Sequence, residues 1–118
     1  MSRGLGDVYK RQALRRRCLY HWLEFPAPER AVEILRRTVP QANLALIESA
    51  TRFVGHVRTL DVDKPPGVAE AINWVAALSV LGVTELGRAE VLSTLGVLAK
   101  TPDDRDVVTE AAGSYAFG

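Results

Sequence analysis

No glycine in this chain is followed by lysine, a single cysteine is present, and no apolar run is long enough to span a membrane. The missing Gly-Lys pair removes the phosphate-binding loop Gly-x-x-x-x-Gly-Lys-Ser/Thr. In that loop backbone N–H groups surround the phosphates, the lysine reaches the terminal ones and the hydroxyl holds magnesium. Nor does any apolar run end in the Asp-Glu pair of a Walker B element. Nucleotide hydrolysis by this polypeptide alone is therefore not expected. Cys18 has no partner for an internal disulfide, and no paired histidines stand at metal-ligand spacing. His21 and His56 are isolated and read as structural or surface residues. Cys18 reads as a small buried apolar residue, because no base and orienting group accompany it in the pattern of an acyl-transfer nucleophile. The longest apolar stretch, Trp74 to Val83, is interrupted by Ser79 and Gly82 and falls well short of the roughly 20 residues a transmembrane helix needs. With no basic-then-apolar leader either, the expected location is the cytoplasm, with no membrane partner.

What is present fits one small domain. The chain has 118 residues, 47% of them hydrophobic and 25% charged, an ordinary balance for a folded globular protein. The net charge of +1 hides a division: residues 1–60 hold eleven Lys and Arg against five Asp and Glu, and residues 61–118 hold four against nine. A basic front and an acidic back favour head-to-tail contact between copies, or contact of the front with an anion. Residues 1–12 stand apart. Gly4-Leu5-Gly6-Asp7-Val8-Tyr9-Lys10-Arg11-Gln12 resembles a translated sequencing adaptor, so the segment is excluded from fold reasoning as an artefactual, disordered head. On that reading Met1 is not the biological start, and the chain begins partway through a longer gene.

Periodicity predicts a mainly α fold, one short strand followed by four helices. Leu19 to Phe25 mixes aromatic and aliphatic residues and stops at Pro26, as a strand would. Glu29 to Val39 puts Val32, Leu35 and Val39 on one helical face, with acids early and Arg36 and Arg37 late. From Asn43, a plausible cap, to about Leu60, Ile47, Ala50, Val54 and Val57 recur at helical spacing. Asp61 to Gly67 is a loop, because adjacent prolines donate no hydrogen bonds and restrain the residues before them. A third helix carries Val68, Ile72, Val75 and Leu78 and runs to about Leu81, ahead of Gly82. A fourth, from Gly87 or Arg88 to Lys100, carries Val91, Leu92, Leu95 and Leu98 and ends at Thr101-Pro102-Asp103-Asp104. The remainder, 101–118, is expected to be a frayed, flexible tail.

Two stretches carry a family resemblance. Arg15-Arg16-Arg17-Cys18, ahead of a strand and a proline, resembles the place where clamp-loader and MoxR-like AAA+ proteins carry an arginine finger. Lys64-Pro65-Pro66-Gly67-Val68-Ala69-Glu70, with Trp74 four residues on, resembles the segment at the start of the third lid helix in MoxR relatives, where sensor 2 lies. The resemblance covers about Ala13 to Lys100. It implies that 13–26 is a remnant of the ATPase core, with the finger segment and last strand, and that 27–100 is a four-helix lid domain of AAA+ type. Arg17 is then the finger that acts in trans on the neighbour's nucleotide, with Arg16 as second candidate, since fixed positive charge there stabilises the phosphoryl-transfer transition state. No arginine follows the prolines, where the better-known Gly-Ala-Ser-Pro-Arg pattern has one, and Gly67 takes that place. Lys64, or the helix N-terminus, is left as the sensor-2-like contact.

For the full-length parent the resemblance implies a homo-hexameric ring that binds ATP and Mg2+. Such a ring would couple hydrolysis to chaperone-like remodelling or metalloenzyme maturation, alongside a von Willebrand factor A domain protein and a metalloenzyme client. The fragment alone would bind no cofactor and, deprived of its core, would be marginally stable and self-associate. A small helical nucleic-acid-binding module is the alternative, with Arg15, Arg16 and Arg17 on phosphates and Tyr20 or Trp22 stacking on bases. Against nucleic acid as a partner, the basic residues do not continue along a recognition helix and the back half is acidic. A further alternative is an interaction module that docks on an ATPase as a regulator.

Overall fold

A computed structural model describes residues 25–117, which are mainly helical, with no strand among them. The strand expected over Leu19 to Phe25 lies outside the described residues except for Phe25, which occupies a bend.

The first helix, α1 (Pro28–Thr38), begins where the pattern places it. Pro28 takes a first-turn position, where its missing N–H has no intrahelical partner to lose, and Glu29 and the pair Arg36 and Arg37 complement the helix dipole. Ala31 and Leu35 face inward, and Val39 just past the end is also buried. The next helix, α2 (Leu44–Arg58), is the most deeply buried, with Leu46, Ile47, Ala50, Phe53, Val54 and Val57 all at 1% exposure or less. Asn43 caps it, its Oδ1 accepting the Leu46 N–H at 2.7 Å. The Asn43 amide also donates to the Thr84 carbonyl at 3.3 Å, bringing the start of α2 against the loop that follows the third helix.

That third helix, α3 (Val68–Val80), starts after Gly67, whose N–H is accepted by the Glu70 carboxylate at 2.8 Å. Its end follows from chain chirality. Gly82 adopts φ 78°, and the Gly82 and Val83 N–H groups return to the Ser79 and Leu78 carbonyls, both at 3.0 Å, in a Schellman arrangement. Trp74 is fully buried, its ring 5.9 Å from that of Phe53.

Beyond this point the structure departs from the sequence pattern. The single helix expected to Lys100 is two short ones, α4 (Arg88–Ser93) and α5 (Leu95–Leu98), divided at Thr94. The buried Thr94 hydroxyl accepts the Trp74 indole N–H at 2.7 Å and donates to the Glu90 carbonyl at 2.7 Å. Thr94 adopts φ −117° and ψ 17°, which is not helical, and a tertiary partner thus fixes the break that apolar spacing conceals.

The frayed tail expected from 101 onward is, over most of its length, a helix, α6 (Pro102–Ser114). Thr101-Pro102-Asp103-Asp104 begins this helix: the Thr101 hydroxyl caps the Asp104 N–H at 3.2 Å, the proline sits at N1 and two acids fill the first turn. Asp104, Val108, Ala111 and Ala112 are buried against the rest. Tyr115 and Phe117 then fold back, their rings 5.1 and 5.5 Å from that of Phe53. No described helix is long and apolar enough to cross a membrane.

Candidate functional site

The loop between α2 and α3 carries Lys64, the one sequence-predicted site residue among those described; Arg16 and Arg17 lie outside the described residues. Two prolines in four residues limit what this loop can do with its own hydrogen bonds, because neither donates. Its backbone groups are satisfied instead by charged side chains from three helices.

From α6, Asp104 turns its carboxylate onto the loop. Oδ1 accepts the Asp63 N–H at 2.7 Å and Oδ2 accepts the Lys64 N–H at 2.9 Å. Asp104 is only 2% exposed, so these two charge-assisted bonds are what make burial of the carboxylate tolerable. From the end of α2, the buried guanidinium of Arg58 donates to the Pro66 carbonyl. Its other face lies over the Phe25 ring, 5.0 Å from the centroid, where the ring's negative face attracts the cation. From α3, Glu70 holds the Gly67 N–H. A Cβ at Gly67 would stand 3.3 Å from that same carboxylate, so the small residue leaves room for the contact.

The result is a loop whose backbone is fixed at 63, 64, 66 and 67 while the Lys64 side chain remains exposed. Glu70 bears on the helix N-terminus as an anion contact. Its carboxylate occupies the N-terminus of α3, where a phosphate would otherwise meet unpaired N–H groups, so an anion there would face a like charge. Lys64 is the group in the loop able to meet an anion.

The sequence reading singled out Lys64 but missed Arg58 and Asp104. A cue for Asp104 was present: Thr-x-x-Asp with proline between is a helix-start signature, and the same residues were read as a helix end. Nothing in sequence spacing links Asp104 to a loop about 40 positions earlier. His56, expected to be a structural or surface residue, is half-buried beside Tyr115, the ring centroids 5.1 Å apart and the planes tilted by 42°. Among the described residues no three His, Cys, Asp or Glu side chains are grouped as metal ligands would be. Searches of protein-family models, curated proteins and solved structures each find no match to this chain.

Proposed function

We propose that this chain is the C-terminal lid portion of a MoxR-type AAA+ ATPase, working in the cytoplasm as part of a homo-hexameric ring. In full length the protein would bind ATP and Mg2+ through a core encoded upstream and couple hydrolysis to chaperone-like remodelling or metalloenzyme maturation. The observation that carries this reading is the fixed Lys64–Gly67 loop. A helical unit that holds the loop around an exposed lysine through side chains of three helices, one of them at the lysine's own N–H, is suited to present that cation to a phosphate at a set distance. A solvated surface lysine needs no such support. Lys64 then contacts nucleotide held by its own subunit, and Arg17, or Arg16 as second candidate, reaches the nucleotide of the adjacent subunit.

Two measurements test it. The upstream sequence, read from an independent source of the gene, should continue in frame into a Walker B strand and a P-loop; a genuine start codon just ahead of Arg15 with neither motif before it overturns the proposal. In the longer protein, Arg17→Ala should cut hydrolysis by about a thousandfold or more while ATP binding survives, as for loss of a trans arginine. Hydrolysis retained in that variant removes Arg17 from the role.

A further inference from the structure

We infer that Asp104 is a positioning residue for Lys64, so that the final helix, α6, sets where the lysine meets its anionic ligand. The inference rests on the lid reading above and adds to it a residue and an element that the family resemblance, which ends near Lys100, does not reach.

The argument starts from how the two hydrogen bonds are divided. Each Asp104 oxygen takes one of two consecutive loop N–H groups, at 2.7 and 2.9 Å, so the plane of the carboxylate fixes two successive peptide units. A single bond would leave the loop free to rotate about it; two do not. Asp104 itself cannot swing. It lies in the first turn of α6, its N–H is bonded to Thr101, and its side chain is buried. The neighbouring Arg105 Nε donates to the Ala99 carbonyl at 3.2 Å, tying the same turn to the end of α5.

The other two supports of the loop act further along. Arg58 holds Pro66 and Glu70 holds Gly67, both after the lysine, so Asp104 is the contact made at Lys64 itself. Displacement of the start of α6 therefore moves the Lys64 backbone directly.

Three substitutions test this, first in the present chain and then in the full-length gene product. Asp104→Asn keeps the side-chain shape but turns an NH2 donor toward one of the loop N–H groups. The Asp63 and Lys64 amides, followed by hydrogen exchange, should exchange about tenfold faster or more, as a local opening that leaves the global core intact. Thr101→Ala removes the helix cap and leaves the carboxylate; it should lower thermal stability yet accelerate those two amides much less than Asp104→Asn does. Lys64→Ala should leave both amides protected. Equal acceleration in Asp104→Asn and Thr101→Ala overturns the inference, because Asp104 would then act only through the stability of α6.

In the full-length protein, with ATP as the probe, Asp104→Asn and Lys64→Ala should raise the KM for ATP by a similar factor, about tenfold, with kcat changed much less. Thr101→Ala should not. An unchanged KM in Asp104→Asn beside a raised one in Lys64→Ala overturns the positioning role alone. No ATP binding by the unsubstituted protein overturns the lid reading and, with it, the nucleotide part of this inference, while the amide comparison still decides whether Asp104 fixes the loop.

Discussion

At the scale of single residues, the informative positions are those where one atom group satisfies a demand set elsewhere. Gly82 is the clearest. Its φ of 78° lies in the left-handed region that closes α3, and a Cβ there would meet nothing within 4 Å, so the requirement is one of backbone energy and not of space. Gly82→Ala should therefore destabilise the chain by about 1–2 kcal/mol, read from chemical denaturation with an unchanged slope. A neutral effect would mean that the turn reorganises. Thr94 works differently. Its hydroxyl serves Trp74 and Glu90 together at the point where α4 ends and α5 begins.

At the scale of elements, α6 changes the account of the molecule most. A segment of low apolar content supplies Val108, Ala111 and Ala112 to the interior, the Asp104 contact to the loop, and a cap and acidic first turn for itself. Tyr115 and Phe117 add aromatic cover over Phe53. Ending the chain at Lys100 should therefore abolish cooperative thermal unfolding followed by circular dichroism, since it uncovers the core and orphans two loop N–H groups at once. A sharp transition retained by the shortened chain would place α6 outside the cooperative unit.

For the whole molecule, α2 supplies the most buried side chains and packs against α1 and α3, and the large apolar side chains left exposed among the described residues are Leu44, Val80 and Leu81. The Asn43–Thr84 bond draws the start of α2 toward the loop just after α3, so these residues come from two chain segments that meet at one end of the bundle. If the isolated chain self-associates, this end should contribute: Leu81→Glu, at a site already 62% exposed, should shift gel filtration toward the monomer without loss of helical signal. An unchanged elution profile would assign association to other surfaces. Three of the helices were legible from periodicity because Leu35, Val54, Val57, Val75 and Leu78 recur on single faces, and because Asn43, Pro40 and Gly82 punctuate them. Lys64 was legible as a candidate from its neighbours alone. The division at Thr94, the packing of α6 and the joint hold of Arg58, Glu70 and Asp104 on the loop were not. Caps, prolines and apolar spacing act within a turn or two of chain, so the sequence determines them locally. A hydrogen bond from Trp74 to Thr94, or from Lys64 to Asp104, exists only once packing brings distant segments together, and that is what the tertiary structure alone decides.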